Sequence, residues 1–193
     1  MTIKKKYFTW ADVEGLVLNI VRQITNSDWK PDYIVGITRG GLVPATLLSQ
    51  WFNVPCETLK ISLRDHESTE SNTWMAEDAF GYVPLEKREE TTNPPTYLPY
   101  TSNSMKNILI VDDINDSGAT FNWLMNDWRS SCLSHDSHWE DVWNGNVRFA
   151  VLADNLASQC SVGMDYFGIE IDKNVEELWL VFPWEDWWIK NNQ

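Results

Sequence analysis

Apolar residues near the amino terminus recur with the period of an amphipathic helix. Thr9 and Asp12 are spaced like a capping box, in which each side chain bonds the backbone of the other residue. Six apolar residues then follow at the i, i+3, i+4, i+7 spacing of one helix face: Val13, Leu16, Val17, Ile20, Val21 and Ile24. The pattern predicts a first helix that begins after Thr9 and packs one face against a core.

Further along the chain, short uninterrupted runs of apolar and β-branched residues replace the helical period. Such runs are typical of strands that are buried in a parallel sheet. They occur at residues 33–37, 58–63, 107–111 and 147–153, with helical stretches at 42–52 and 121–128. The alternation predicts an α/β fold, a mainly parallel sheet flanked by helices in one domain of residues 1–193, with ligand-binding loops at the carboxyl ends of the strands.

Two polar stretches interrupt this alternation. Residues 65–104 are rich in Thr, Ser, Glu and Pro and show no sustained periodicity, and residues 130–146 form a second, shorter polar stretch. A long loop without structure is unusual in a compact domain unless it serves function. We therefore predict that residues 65–104 form a hood insertion, with room for a hairpin, which is mobile without ligand and becomes ordered with it.

The charge of the chain narrows the range of partners. A formal net charge of −13 opposes nucleic-acid binding, which depends on Lys and Arg to neutralise phosphates. The basic start MTIKKKYFTW is followed by no apolar signal region, and no segment approaches the roughly 18 apolar residues of a membrane helix. We expect a cytoplasmic protein that binds neither nucleic acid nor membranes, with its three cysteines reduced.

Tryptophan is concentrated near the carboxyl terminus, in the stretch WLVFPWEDWW at residues 179–188. Large aromatic side chains contribute much of the buried area of cores and subunit interfaces. This stretch is therefore predicted to lie in the core or at a contact between subunits.

The stretch NILIVDDINDSGATFNWL, residues 107–124, carries the strongest chemical signal. A buried strand delivers Asp112 and Asp113, and Asp116 opens a turn that runs into a helix. The backbone N–H groups of such a turn and the positive helix end favour a phosphate group. Carboxylates accept hydrogen bonds from sugar hydroxyls and bind hard cations such as Mg²⁺. A phosphorylated sugar carrying Mg²⁺ fits both chemistries, whereas the common nucleotide-binding signatures GxxxxGK[ST] and GxGxxG are absent.

The segment ILIVDDINDSGAT resembles the fingerprint of the type I phosphoribosyltransferases, an apolar strand followed by two acidic residues and a D-[ST]-G-x-T turn. The chain is most similar to the bacterial xanthine-guanine type. YFTWADVEGL, ITRGGLVPATLL, ISLRDH and WLVFPWED each resemble a segment of that type in the same order, over roughly two thirds of the chain. The two polar stretches match less well and are expanded.

The resemblance implies a role for each matching residue. Arg39 and Gly40 match the pair that binds pyrophosphate, and Asp112 and Asp113 match the residues that hold the ribose hydroxyls, with Asp113 also contacting the metal. Asp116 matches the acidic residue beside the purine N7, which acts as a general base or stabilises positive charge. The residues that match the cradle of the 5-phosphate are Ser117, Gly118, Ala119 and Thr120. Trp179, followed by Leu180, matches the aromatic residue that stacks on the base.

Two positions depart from the family pattern. The hood arginine that contacts pyrophosphate falls at Glu70, so that Arg64, Lys87 or Arg88 must replace it or the contact is lost. The lysine that reads the purine 6-oxygen falls at Asp154. A carboxylate there predicts weaker use of hypoxanthine, guanine and xanthine and favours an amino-bearing base such as adenine. In the alternative, Asp154 turns away and Asn155 or backbone groups read the base.

The resemblance implies a Mg²⁺-dependent pentosyltransferase of nucleotide salvage. It would join a nucleobase, with a purine favoured, to 5-phosphoribosyl 1-diphosphate, giving a nucleoside monophosphate and pyrophosphate. The alternative is a non-catalytic regulator or sensor that binds phosphoribosyl diphosphate, because a fold does not dictate its function. A homodimer or homotetramer is expected from the family.

Overall fold

The computed structural model describes residues 4–61, 72–81, 105–185 and 187–188. The strands are β1 (Lys4–Tyr7), β2 (Tyr33–Thr38), β3 (Cys56–Lys60), β4 (Ile108–Asn115), β5 (Val147–Asn155), β6 (Tyr166–Ile171) and β7 (Leu178–Val181). The helices are α1 (Trp10–Thr25), α2 (Leu42–Phe52), α3 (Thr73–Phe80), α4 (Ala119–Ser131) and α5 (Trp139–Val142).

Five of the strands form one parallel sheet in the order β3-β2-β4-β5-β6. Its centre, β4, pairs on one side with β2, where Gly36 lies opposite Val111, and on the other with β5, where Val111 lies opposite Ala150. A separate two-stranded parallel sheet joins β1 to β7. The carboxyl ends of β2, β4 and β5 therefore lie side by side.

The core has two layers, one on each face of the larger sheet. Successive residues of a strand point to opposite faces, so Val35 and Ile37 of β2 pack with α3, α4 and α5, while Ile34 packs with α1 and α2. The capping box of α1 is present: Thr9 Oγ1 accepts from the backbone N–H of Asp12, and Asp12 Oδ2 accepts from the N–H of Thr9. None of the helices in the described ranges has the length and apolar character needed to cross a membrane.

The helical and buried-strand predictions are confirmed at α1, α2, α4, β2, β4 and β5, and β3 begins two residues earlier than predicted, at Cys56. Three strands were not predicted. Every residue of β1 is exposed, β6 alternates buried and partly exposed residues, and β7 is a short strand within the tryptophan-rich stretch. These strands lack the long apolar run that marks a strand buried on both faces.

The predicted hood, residues 65–104, lies mostly outside the described residues. Within it, residues 73–80 form α3, whose buried side chains Met75, Ala76, Ala79 and Phe80 belong to the core. The prediction of an aperiodic polar hood is therefore wrong for this stretch. Four buried apolar positions in an eight-residue helix are too few to establish a period on their own.

Candidate active site

The loop after β2 packs directly on the end of β4. A methyl group at Gly40 would overlap the carboxylate of Asp113, and one at Gly41 would overlap the carbonyl oxygen of Val111. Glycine is required at position 41, where the neighbouring atoms belong to the backbone, whereas a side chain at position 40 would displace the carboxylate of Asp113. The loop brings Arg39, which is exposed and follows a cis peptide bond from Thr38, to the same edge of the sheet as the two aspartates.

Asp112 and Asp113 follow the buried apolar run of β4, Ile108 to Val111. Asp112 is buried, and its Oδ1 accepts from the backbone N–H of Asp113 at 2.9 Å. Burial, and then the charge of Asp113, raise the pKa of Asp112 well above its usual range. Burial, and then the charge of Glu185, raise the pKa of Asp113 to about 6. A cation beside these carboxylates would stabilise their charged forms and so lower the pKa of both.

The turn between β4 and α4 has the shape of an anion cradle. Gly118 is the N-cap of α4, has a φ of 83°, and provides no side-chain capping bond. The first N–H groups of a helix have no partners within the helix, so an uncapped start is open to an anion. Ser117 contributes its hydroxyl, which accepts from the N–H of Ala119 at 3.4 Å. Ala119 and Thr120 begin the helix and line the same cavity as Ser117.

Position 118 requires glycine because neighbouring backbone atoms of the protein lie close to it. A methyl group on its Cα would overlap the backbone of Gln159 and Cys160 in the loop after β5. Gln159 also donates its N–H to the carbonyl oxygen of Ser117 at 3.1 Å. The loop after β5 thus supports the turn from behind.

A cavity of about 540 Å³ opens at this edge of the sheet. Its lining residues come from β4, the turn, α4, β7 and the segments after β3, β6 and β7. They are Ile61, Asp112, Asp113, Ile114, Asn115, Asp116, Ser117, Gly118, Ala119, Thr120, Phe121, Lys173, Trp179, Leu180, Phe182 and Glu185. The structure therefore brings together all predicted site residues except Arg39, Gly40 and Asp154, which are not among the described lining residues.

Trp179 lies on β7 and is 46% exposed, whereas its neighbour Leu180 is buried. Trp179 is thus not a core residue, and its indole ring forms part of the cavity wall. Glu185 closes the same side, with its Oε1 accepting from the backbone N–H of Phe182 at 2.8 Å. An exposed aromatic ring at the mouth of a polar cavity can stack on a planar ligand.

The contacts of Asp154 do not indicate a base-binding role. Its Oδ1 accepts from Asn115 Nδ2 at 2.8 Å, at the end of the β4–β5 pairing. The alternative to Asp154 was Asn155, which is buried and makes its contacts within the protein. The expected preference for an amino-bearing base loses its structural basis, because the carboxylate is engaged by Asn115 and lies outside the described cavity wall.

Sequence reasoning missed Lys173 and Glu185 as site residues and named Asn155 only as an alternative reader of the base. Lys173 Nζ lies 2.7 Å from Asp116 Oδ1, and Asn155 Nδ2 donates to the backbone oxygen of Asp116 at 2.9 Å. Lys173 follows β6, a strand that the apolar pattern does not predict, so nothing in the sequence placed this lysine at the ligand-binding edge. Glu70, Arg64, Lys87 and Arg88 lie outside the described residues, and the replacement of the hood arginine stays a prediction.

Comparisons with known proteins agree with this geometry. The family model for the phosphoribosyl transferase domain matches residues 5–184 of the sequence. The chain therefore belongs to the phosphoribosyltransferase family. Its parallel sheet with flanking helices is the type I phosphoribosyltransferase fold. The resemblance seen in the sequence is confirmed at the level of the family.

Three relatives illustrate the similarity. The hypoxanthine-guanine phosphoribosyltransferase of Schizosaccharomyces pombe is 20% identical over 197 residues, which cover 93% of this chain and 88% of that protein. The purine phosphoribosyltransferase of Pyrococcus horikoshii matches with a TM-score of 0.58 and 23% identity over 93% of each chain. A hypothetical protein of Neisseria gonorrhoeae, solved with bound ppGpp, matches with a TM-score of 0.62 and 19% identity over 99% of this chain and 94% of that one.

Proposed function

We propose that this protein joins a purine base to 5-phosphoribosyl 1-diphosphate, releasing pyrophosphate and giving a nucleoside monophosphate. The observation that carries the proposal is one cavity lined by the Asp112–Asp113 pair, by the uncapped start of α4 and by the exposed ring of Trp179. These are partners for a ribose, a phosphate and a planar base. The purine phosphoribosyltransferases among the relatives support the choice of base.

The charged groups of the substrate are assigned by the chemistry of the residues. The 5-phosphate lies on the backbone N–H groups of residues 117–120, where the helix end favours negative charge. The exposed guanidinium of Arg39 suits the diphosphate, because its planar fork of N–H groups matches phosphate oxygens. Asp112 and Asp113 accept from the ribose hydroxyls.

Mg²⁺ fits the site as a shared ligand of protein and substrate. Within the described residues, no group of three or more His, Cys, Asp or Glu side chains is arranged to hold a metal ion. Mg²⁺ commonly uses one or two carboxylates and completes its shell with phosphate oxygens and water, which the Asp113 carboxylate and a diphosphate provide. When bound, the metal would neutralise the charge that develops on the departing pyrophosphate.

Asp116 is the group that handles the proton of the base. One imidazole nitrogen of the purine attacks the anomeric carbon as the bond from that carbon to the diphosphate oxygen breaks. The proton on the other imidazole nitrogen passes to the Asp116 carboxylate, which lies on the cavity wall. Trp179 holds the ring plane in the orientation for attack.

A second candidate is a non-catalytic regulator or sensor that binds phosphoribosyl diphosphate. The fold neighbour from Neisseria gonorrhoeae with bound ppGpp favours this candidate. Asp116 and Trp179 on the cavity wall favour the enzyme, because a sensor for the sugar diphosphate alone needs neither a proton acceptor nor a stacking ring.

Calorimetry with phosphoribosyl diphosphate in Mg²⁺ and in EDTA tests the site, and a panel of free bases tests the reaction. We expect binding to require Mg²⁺, Asp113→Asn to weaken the metal-dependent part, and a nucleoside monophosphate to form with at least one purine. Asp28→Asn, an exposed carboxylate before β2 at the opposite edge of the sheet, is the control and should bind normally. Equal binding in Mg²⁺ and EDTA contradicts the site, and binding without any product favours the sensor.

The proposed assembly is a homo-oligomer that pairs through the outer face of α2. This helix contains no charged residue, and Leu47 and Trp51, one turn apart, are exposed while Ala45 and Leu48 are buried. Large apolar side chains on the outer face of a helix that also packs on the core indicate a second contact on that face. Two copies of a chain with a net charge of −13 repel each other least at an uncharged surface. A second copy is therefore the occupant that fits this face, in a two-fold arrangement.

A further inference from the structure

Lys173 is a cavity residue that the family resemblance does not explain. The resemblance matches the lysine that reads a purine to position 154, where this chain has an aspartate bonded to Asn115. Lys173 reaches the cavity from another place, the turn that follows β6. Its side chain is only 20% exposed, although lysine usually extends into solvent.

Asn155 holds Lys173 and Asp116 beside each other. Its Oδ1 accepts from the backbone N–H of Lys173 at 3.1 Å, and its Nδ2 donates to the backbone oxygen of Asp116 at 2.9 Å. Asn155 is 5% exposed, so the link does not depend on a mobile surface side chain. A buried amide that bonds the backbone of both segments in this way fixes the two segments relative to each other.

The pair presents a donor and an acceptor to the cavity. Lys173 Nζ lies 2.7 Å from Asp116 Oδ1, and both residues share the cavity wall with the exposed ring of Trp179. An ammonium group can only donate hydrogen bonds, and a carboxylate can only accept them. A planar ring that enters between them must offer an acceptor to Lys173 and an N–H to Asp116.

We propose that Lys173 and Asp116, positioned by Asn155, form the element that selects the base, by donating to a keto oxygen and accepting from the neighbouring imidazole N–H. A 6-oxopurine presents this pair of groups on one edge, whereas a 6-aminopurine presents an N–H donor where Lys173 needs an acceptor. The inference rests on the proposed transfer to a purine. It assigns the selection to a residue from the turn after β6 and reverses the preference expected from Asp154.

The hydrogen-bonding polarity of Lys173 and Asp116 determines how strongly the site distinguishes a 6-oxopurine from a 6-aminopurine. A hydrogen bond to a charged group strengthens binding about 10- to 100-fold, and a mismatched partner leaves the ammonium without an acceptor. When a free base enters, the existing contact between Lys173 and Asp116 opens and each group gains a partner on the ring. In a nucleotide the imidazole nitrogen beside Asp116 carries no proton, so a difference in affinity between two nucleotides reports on Lys173 alone. We expect inosine monophosphate to bind at least about 10-fold tighter than adenosine monophosphate.

Calorimetry with these two nucleotides tests the inference without requiring turnover, because they differ at the 6-position and in the N1 proton that accompanies it. We expect Lys173→Met to lose about 10- to 100-fold in affinity for inosine monophosphate and little for adenosine monophosphate. Lys173→Arg keeps a positive donor and should retain most of the preference. Lys30→Met removes an exposed charge before β2 and should change neither affinity.

Initial rates with hypoxanthine and adenine separate this inference from the proposed function. If the wild type forms nucleotides without a 6-oxo preference, or Lys173→Met keeps that preference, the inference is overturned while the transferase stands. If no base is converted but inosine monophosphate is preferred through Lys173, the transferase fails and the inference stands. Equal binding of the two nucleotides by the wild type, or binding of neither, overturns the inference whatever the variants do.

Discussion

The surroundings of Asp113 disfavour the charged form of its carboxyl group unless a cation is present. Its pKa is raised to about 6 by burial and by Glu185, above the ordinary 3.8 of an aspartate. Between pH 4 and pH 6 the folded protein therefore binds more protons at Asp113 than the unfolded chain does. The contribution of Asp113 to the free energy of unfolding therefore falls as the pH rises through this window and levels off above pH 6.

Asp113→Asn removes this titration. In EDTA and without substrate, we expect the variant to be more stable than the wild type at pH 7.5 by about 1–2 kcal/mol, and to show a smaller advantage at pH 4.5. Urea unfolding at the two pH values measures the difference. Asp112 remains and keeps part of the pH dependence. Parallel pH profiles for the two proteins would contradict an unfavourable charge at Asp113.

Asp116→Asn separates proton transfer from substrate binding. The amide keeps the shape of the side chain but cannot take up a proton, so we expect turnover to fall about 100-fold or more while the affinity for phosphoribosyl diphosphate changes little. Steady-state rates and calorimetry give the two quantities. Unchanged turnover would leave Asp116 with a binding role alone.

At the scale of the element, the turn between β4 and α4 depends on the loop behind it. Gly118 has a φ of 83°, and a methyl group added there in Gly118→Ala would overlap the backbone of Cys160. We therefore expect this variant to lose about 1–3 kcal/mol of stability and to bind ribose 5-phosphate more weakly. Gly15→Ala is the matched control. Gly15 lies within α1, where an added methyl group would meet open space, so alanine there should stabilise the helix by about 0.5–1 kcal/mol. If the two substitutions changed the stability similarly, the result would contradict the inference that the loop after β5 supports the turn.

At the scale of the whole molecule, the outer face of α2 should decide the oligomeric state. Trp51→Glu places like charges opposite each other in a two-fold contact and leaves the core unchanged, so we expect dissociation to monomers in sedimentation experiments. Val175→Glu adds the same charge at a residue that is 84% exposed on another surface, and should leave the assembly intact. A wild type that sediments as a monomer, or a Trp51→Glu variant that stays associated, contradicts the α2 contact.

The residues from Asp112 to Thr120 could be predicted as a site because they are consecutive. A strand end, a turn and a helix start bring them together through local geometry, without reference to the rest of the fold. Arg39 could be added because it follows another buried strand, and the carboxyl ends of parallel strands share one edge. Sequence periodicity also predicted α1, α2 and the inner strands, since burial on a defined face imposes a repeating apolar pattern.

The sequence by itself determined the class of fold and the family, and it predicted the residues of the proposed phosphate and ribose site. Only the tertiary structure decided which side chains meet across strands: Asp154 is engaged by Asn115, Asn155 connects Asp116 to Lys173, and Glu185 raises the pKa of Asp113. These contacts join residues that are far apart in the chain, and their distances depend on strand order and register. Strand register is a property of paired backbones, which the pattern within one segment does not contain.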